Sequence, residues 1–186
     1  MIFTAKVDKT ALKGTPVKLE GTFLDLGDPA PIVTTVTPDL QEHTIGKESN
    51  NAQLILVVPS LDTPVCDAQA RRFNEAVAKI DNLQTTIVSM DLPFAAAKFC
   101  NTAGIANITV TSDFRHKAFA RKYGMLIADG PLQGLCARAI FIISKDGRIV
   151  YKQVVPEITS EPNYEEALNK AQGAANSGAS CCGFCQ

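Results

Sequence analysis

Residues 53–60, QLILVVPS, form an uninterrupted apolar run that is rich in β-branched side chains. A run without polar alternation is typical of a strand covered on both faces, as in a mostly parallel sheet. Residues 84–92, QTTIVSMDL, predict a second buried strand. Between the two, apolar side chains recur at helical spacing from Cys66 to Val77 and predict a helix with one buried face. The order predicts a βαβ unit.

Strand and helix signals continue to alternate after residue 92. Pro93 marks a helix start and Gly104 its end, and Cys100 lies late in that helix. We then expect a strand at 107–113 and a helix at 114–124. A βαβ half followed by a ββα half is the thioredoxin-like arrangement.

The last strands and the last helix complete that second half. Residues 138–155 predict a β-hairpin, with Asp146 and Gly147 as a type I′ turn. Residues 163–175 predict the final helix, with Asn163 as its cap.

The amino-terminal third is rich in Gly, Pro, Thr and Asp, and residues 17–23 (VKLEGTF) alternate as a hairpin arm does. Residues 26–49 indicate a loop, one short strand and a turn. We therefore predict an α/β, thioredoxin-like fold with a central mixed sheet flanked by helices and an N-terminal β-hairpin extension. A single domain is expected over 1–174, followed by a flexible, cysteine-rich tail at 175–186.

Charge and hydropathy narrow the class of protein. Lys plus Arg total 18 and Asp plus Glu total 19, so no basic surface for nucleic acid or anionic lipid is expected. No apolar run approaches the roughly 18 residues that span a bilayer. The amino terminus lacks the apolar core and cleavage site of a secretory signal. We expect a cytoplasmic protein that binds neither nucleic acid nor membranes.

The chain has six cysteines, three standing singly in its body and three within its last six residues. Structural disulfides are rare in cytosolic proteins, so catalytic, redox or metal-binding roles gain weight. The six are Cys66, Cys100, Cys136, Cys181, Cys182 and Cys185.

Cys66 has two interpretations. Free cysteines are among the most buried residues, and Cys66 lies on the apolar face of its helix, which suits inert packing. However, a helix amino terminus directs unpaired N–H groups and the positive end of the helix dipole at the sulfur, which stabilises the nucleophilic thiolate. Thr63 occupies the place where a thioredoxin-type reductase has a second cysteine, so Cys66 must react with an outside electrophile or a distant cysteine.

The segment PSLDTPVC resembles the active-site motif of peroxiredoxins, Pro-x-x-x-Thr-x-x-Cys, and Pro59, Thr63 and Cys66 match it residue by residue. Residues 91–100 resemble the resolving-cysteine segment of the thiol peroxidase subfamily, the atypical two-cysteine peroxiredoxins.

A third segment, residues 134–142, is similar to the one that carries the active-site arginine of that family, here Arg138. The resemblance runs from about residue 12 to about residue 174 at compatible spacings.

The resemblance implies a thiol peroxidase that reduces hydrogen peroxide and alkyl or lipid hydroperoxides. Cys66 would become a sulfenic acid, Thr63 would orient the peroxide, Pro59 would shield the pocket and Arg138 would stabilise the developing charge. Cys100 would resolve the sulfenic acid as an intramolecular Cys66–Cys100 disulfide after local unwinding of both helices. The family implies thioredoxin as the reductant, a homodimer, and no cofactor or metal.

Two features depart from the family pattern. If the strand that follows Arg138 extends back to Cys136, alternation would put both on one face, where Cys136 is either a packing residue or a further redox partner. Cys182 and Cys185 form a Cys-x-x-Cys pair beside Cys181, which suits a redox relay, a metal-binding tail or a dispensable tail.

Three other classes of protein could use these cysteines. A thioredoxin-like thiol–disulfide oxidoreductase is disfavoured by Thr63, and a cysteine-rich metal-binding protein lacks the ligands for a closed site. A cysteine peptidase would need His43 or His116 beside Cys66, but both histidines are expected to be isolated and solvated.

Overall fold

The computed structural model describes residues 8–177, and its helices and strands form an α/β fold. The strands are β1 (Thr10–Leu12), β2 (Thr15–Val17), β3 (Leu19–Glu20), β4 (Val33–Val36), β5 (Glu42–Ile45), β6 (Ala52–Val57), β7 (Leu83–Ser89), β8 (Thr109–Ser112), β9 (Leu126–Ile127), β10 (Ala139–Ile143) and β11 (Ile149–Val154). The helices are α1 (Pro64–Val77), α2 (Pro93–Ala103), α3 (Ala118–Lys122) and α4 (Tyr164–Asn176).

A seven-stranded mixed sheet forms the centre, in the order β11-β10-β6-β7-β8-β4-β5. Strands β6, β7 and β8 are parallel, and their outer neighbours run antiparallel to them. Every residue of β6 is buried, as its continuous apolar sequence predicts. Because β6 and β7 are parallel, the segments leading into α1 and α2 leave the same edge of the sheet.

The two faces of the sheet are covered by separate apolar clusters, and alternate residues of each strand enter one or the other. Ile55 and Phe141 belong to the first cluster, whereas Leu56, Ile140 and Phe73 belong to the second. Loss of a fully buried phenylalanine such as Phe73 costs about 3–5 kcal/mol. The buried face of α1 is therefore what holds this helix on the sheet.

The predicted N-terminal hairpin is present, because β1 pairs antiparallel with β2, but it covers residues 10–17 and not the predicted arm at 17–23. It also joins the segment that follows β11: the Ala11 N–H donates to the Pro156 carbonyl at 2.9 Å, and the Ile158 N–H donates to the Ala11 carbonyl at 2.8 Å. A second short ribbon pairs β3 with β9. The amino-terminal strands therefore attach to the body of the fold at two places.

The predicted helix over 114–124 is wrong in its first half. The Asp113 carboxylate accepts the N–H groups of Phe119 at 3.1 Å and Ala120 at 2.9 Å, so the helical turns begin only at Ala118. Residues 114–116 instead form a turn between Asp113 and the start of α3.

The turn of the last hairpin also differs from the prediction. A type I′ turn needs a positive φ at both central residues. Gly147 has a φ of 74° but Asp146 does not share this conformation, and the Gly147 N–H instead donates to the Ser144 carbonyl at 2.9 Å. The connection is accordingly a longer loop.

Residues 26–49 were expected to supply one strand and instead supply β4 and β5, which form one edge of the sheet. The predicted limits of the domain, 1–174, and of the tail, 175–186, stay predictions. Helix α4 runs to Asn176, and the tail from residue 178 onward lies outside the described residues.

Candidate active site

Cys66 lies in the first turn of α1, where the sequence predicts it. Pro64 opens the helix, and Thr63 is its N-cap residue in extended conformation. The Thr63 hydroxyl accepts the Cys66 N–H at 3.3 Å, which satisfies one of the N–H groups left free at a helix start. Cys66 itself is 1% exposed, so its sulfur is enclosed in the second cluster beneath the helix.

Arg138 contacts Cys66 directly. Its Nη1 atom donates to Cys66 Sγ at 3.3 Å and to Gln69 Oε1 at 2.9 Å, while its Nε atom donates to the Ile158 carbonyl at 2.9 Å. Arg138 precedes β10 and is only 2% exposed. Contacts from α1 and from the segment after β11 therefore hold one guanidinium against the sulfur.

The charge of Arg138 has no carboxylate partner within salt-bridge distance in the chain between residues 8 and 177. A buried cation is costly unless a negative charge compensates for it. Among the hydrogen-bond partners of the guanidinium in residues 8–177, the Cys66 sulfur is the one that can carry a negative charge, as a thiolate. The arrangement thus places a cationic donor against the Cys66 sulfur at the start of α1, where the positive end of the helix dipole also lies.

Gln69 is a site residue that the sequence analysis missed. It is 1% exposed, its Oε1 accepts from Arg138, and its Nε2 has no hydrogen-bond partner among the described residues. The available signal was its position three residues after Cys66, where a polar side chain interrupts the apolar face of α1. A buried amide at that position requires a polar neighbour.

Pro59 and Ser60 lie in the segment between β6 and α1, and Pro59 is buried. The Asp91 carboxylate ties this segment to the start of α2: it accepts from the Ser60 hydroxyl at 2.8 Å and from the Leu61 N–H at 2.6 Å. Asp91 also accepts from the Ser89 hydroxyl at 2.9 Å. The loop that carries Pro59 and Thr63 is therefore fixed to the end of β7.

Cys100 lies on α2 and is half-buried at the margin of the cluster that contains Cys66. Both cysteines are free thiols. Burial raises the pKa of the Cys100 thiol above its ordinary value, so Cys100 is mainly a thiol at neutral pH.

A groove of about 710 Å³ separates the first turns of α1 from α2. Thr63, Asp67 and Arg71 line one side, and Ala95, Lys98 and Phe99 line the other.

Cys136 is placed differently from the prediction. Strand β10 begins at Ala139, after Cys136, and Cys136 lies in the first cluster on the opposite face of the sheet from Cys66. It forms an isolated bridge with Leu126 instead of continuing the strand. Burial raises the pKa of the Cys136 thiol strongly, and the side chain is 0% exposed. The packing interpretation therefore has the better structural support.

The histidines do not approach Cys66 through any hydrogen bond. His43 was expected to be solvated but is half-buried, and its Nε2 lies 3.1 Å from the Thr86 hydroxyl; burial lowers the pKa of this imidazole. His116 is exposed, as expected.

Cys181, Cys182 and Cys185 lie outside the described residues. Within residues 8–177, no three metal-ligating side chains cluster together. The helices in that part of the chain are all too short or too polar to cross a membrane.

The architecture is that of a thioredoxin-like protein, and Cys66 at a helix start beside Arg138 suits a thiol-based redox site. The Redoxin family model matches residues 25–168. The thiol peroxidase of Aquifex aeolicus is 52% identical over 161 residues, which cover 87% of this chain and 95% of the relative. The thiol peroxidase of Campylobacter jejuni is 48% identical over 173 residues, covering 93% and 95% respectively.

Solved structures agree with these relatives. The crystal structure of a peroxiredoxin-like protein from Aquifex aeolicus superposes with a TM-score of 0.87 at 50% identity, covering 89% of this chain and 96% of that one. A thiol peroxidase from Chromobacterium violaceum shares the fold with a TM-score of 0.81 at 19% identity, covering 90% and 97%.

The chain therefore belongs to the Redoxin family, and within it to the thiol peroxidases of the peroxiredoxin group. The sequence-based predictions of the family, the fold class and a thiol peroxidase enzyme are confirmed at this level.

Proposed function

We propose that this chain reduces hydrogen peroxide and organic hydroperoxides with Cys66 as the peroxide-attacking thiolate. The observation that carries the proposal is the 3.3 Å contact between Arg138 Nη1 and Cys66 Sγ, made by a buried guanidinium that has no carboxylate partner among the described residues. A thiolate is both the missing counter-charge and the reactive form of the residue.

In the first step, the Cys66 thiolate attacks one oxygen of the peroxide. The O–O bond breaks, an S–O bond forms, and the departing oxygen takes a proton and leaves as water or an alcohol. Cys66 is oxidised to a sulfenic acid by two electrons while the peroxide is reduced. Arg138 stabilises the negative charge that builds on the departing oxygen, and Thr63 orients the peroxide.

In the second step, the Cys100 sulfur attacks the sulfenic sulfur of Cys66. A Cys66–Cys100 disulfide forms and the sulfenic oxygen leaves as water with the Cys100 proton. Cys66 lies in the first turn of α1 and Cys100 late in α2, so we expect both turns to unwind locally before the two sulfurs reach bonding distance. Only three residues of α2 are buried, Pro93, Ala96 and Ala103, so that helix is also open to local unwinding.

A dithiol of the thioredoxin type returns the disulfide to two thiols by exchange. The two cysteines alone carry both electrons, so the cycle requires no metal, haem or flavin. We also propose a cytoplasmic location and a homodimer, because the family pattern implies both.

The decisive measurement is mass spectrometry after one equivalent of peroxide, with free thiols blocked on quenching. The intact protein should give one Cys66–Cys100 disulfide, and Cys66→Ser should stay unmodified. Cys100→Ser should retain one extra oxygen atom on Cys66. Cys136→Ser is the matched control and should behave as the intact protein does.

Two results would overturn the assignment. The first is an intramolecular disulfide of normal yield in Cys100→Ser, which would give the resolving role to another cysteine. The second is disulfide reduction in an insulin assay without consumption of peroxide, which would favour a thiol–disulfide oxidoreductase.

A further inference from the structure

One face of α1 fastens the far end of α2. Asp67, Arg71 and Asn74 follow one another at intervals of four and three residues, so they form a single row along the helix. The row faces the carboxyl end of the helix that carries Cys100. None of the three residues contacts Arg138 or the Cys66 sulfur through a hydrogen bond of the described structure.

Arg71 is the centre of the row. Its Nε atom donates to both carboxylate oxygens of Asp67, at 3.1 and 3.0 Å, and its Nη1 atom donates to the Ala103 carbonyl at 3.0 Å. Ala103 is the last residue of α2, where helix carbonyls lack partners within the helix. Arg71 therefore crosses from α1 to α2 and satisfies one of these carbonyls.

Asn74 holds the chain just beyond α2. Its Oδ1 atom accepts the N–H groups of Ala106 at 3.1 Å and Asn107 at 2.8 Å, and its carbonyl accepts from the Asn107 side chain at 3.1 Å. The helix end between these anchors is closed by Gly104, whose left-handed φ of 66° lets its N–H donate to the Cys100 carbonyl. The turn that contains Cys100 is thus held from α1.

We propose that Arg71 is a positioning residue that couples unwinding of the Cys66 turn to release of the Cys100 turn. The inference rests on the proposed Cys66–Cys100 resolution and deepens it. Asp67 directly follows Cys66, so unwinding of the first turn of α1 removes the carboxylate that orients Arg71. The remaining Arg71–Ala103 hydrogen bond then holds α2 less firmly, and the Cys100 sulfur becomes free to attack.

The coupling also decides the fate of the sulfenic acid. Until α2 is released, a second peroxide can oxidise Cys66–SOH to the sulfinic acid while being reduced to water or an alcohol. A firmer hold by Arg71 favours this overoxidation, and a weaker hold favours the disulfide.

The test separates the two chemical steps in single turnover, by rapid mixing with hydrogen peroxide, acid quenching, thiol blocking and mass spectrometry. Arg71→Ala should convert the sulfenic acid to the disulfide about two- to tenfold faster than the intact protein, as expected for loss of one hydrogen bond. The rate of sulfenic acid formation should not change. The sulfinic fraction in excess peroxide should fall.

Asp67→Asn should act in the same direction, and it should add nothing in the Arg71→Ala background, because both variants remove the same link. Arg148 supplies the matched control. It lies 3.8 Å from Asp146 and donates to the Gly27 carbonyl at 2.9 Å, so it repeats the pattern elsewhere on the surface. Arg148→Ala should leave both steps unchanged.

Several outcomes would overturn the proposal. These are an unchanged or slower disulfide step in Arg71→Ala, additive effects of the two α1 variants, or an equal change in Arg148→Ala. If Arg71→Ala does not fold, Arg71→Lys replaces it in the test. Lysine keeps the charge but cannot bond the Asp67 carboxylate and the Ala103 carbonyl at the same time. Failure of the intact protein to form a Cys66–Cys100 disulfide would instead reject the proposed function on which the inference rests.

Discussion

Arg138 Nη1 lies 3.3 Å from Cys66 Sγ, although 72 positions of sequence separate the two residues. The contact joins the start of α1 to the start of β10, and the antiparallel pairing of β6 with β10 brings these ends together. Burial of both side chains leaves little water to weaken the electrostatic interaction between them. The sheet topology itself therefore creates the electrostatic environment of the thiol.

Replacement of Arg138 should slow the first chemical step. Arg138→Met removes the donor that is proposed to stabilise the thiolate and the departing oxygen, so the second-order rate constant for Cys66 oxidation should fall about a hundredfold or more. Arg138→Lys keeps a charge but cannot contact Cys66, Gln69 and the Ile158 carbonyl at once, so it should rescue only part of the loss. Because the chain has no tryptophan, quenched-flow mass spectrometry is the suitable measurement.

Arg148→Met is the control for loss of an arginine that donates to a backbone carbonyl, as Arg138 does, but not to Cys66, and it should oxidise at the rate of the intact protein. Equal rates for Arg138→Met and the intact protein would show that the guanidinium contributes only to packing.

The pH dependence of the disulfide step should report Cys100. Only the thiolate attacks, and burial raises the pKa of the Cys100 thiol above the ordinary value of about 8.5. The thiolate fraction, and with it the rate of disulfide formation, should rise about tenfold per pH unit between roughly pH 6 and 8. Single-turnover rates measured across this range check the slope. A plateau below pH 7.5 would contradict the assigned shift.

Glu157 should make a pH-dependent contribution to stability. Its carboxylate accepts the N–H groups of Lys13 and Gly14, both at 2.9 Å, and these hydrogen bonds lower the pKa of Glu157 to about 2. An unfolded chain has a glutamate pKa of about 4.3. The contribution is therefore complete above about pH 4.3 and is lost as the pH falls through about 2.

Glu157→Gln should lower the urea midpoint at pH 7, and the difference from the intact protein should narrow below about pH 4.3. Glu75→Gln is the control, since Glu75 is exposed on α1 and its carboxylate forms no hydrogen bond or ion pair within the described chain. If the difference in urea midpoint between Glu157→Gln and the intact protein does not change with pH, the effect comes from the shape of the side chain and not from its charge.

The relay hypothesis for the tail predicts a specific kinetic defect. Deletion of residues 179–186 should leave peroxide-driven formation of the Cys66–Cys100 disulfide unchanged but lower turnover with a thioredoxin-type donor, because a tethered dithiol acts at high effective concentration. The paired replacement Cys182→Ser and Cys185→Ser should reproduce the deletion. Unchanged donor-dependent turnover in both variants would reject the relay.

Local sequence signals predicted the elements that carry Cys66 and Cys100. Continuous apolar runs identify β6 and β7 because strands buried on both faces cannot alternate, and helical spacing places Cys66 at a helix start. Gly104 marks the end of α2 because its positive φ favours glycine. These inferences needed no contact between distant parts of the chain.

Contacts between distant residues explain what sequence patterns missed. The late start of α3 depends on the Asp113 carboxylate, and the position of Cys136 depends on the point at which β10 begins to pair with β6. The role of Gln69 depends on Arg138, which belongs to another element. Residue type and spacing alone do not specify such partners, because they are set by tertiary packing.

The attachment of the amino-terminal hairpin has a practical consequence. Ala11 holds the backbone of Pro156 and Ile158, and the Ile158 carbonyl in turn holds Arg138 Nε. Removal of the first twelve residues by a protease, or a bulky fusion partner pressed against β1, would loosen the arginine without altering any side chain of the site. A preparation trimmed at this end would therefore be expected to lose peroxide reactivity while its main sheet remains folded.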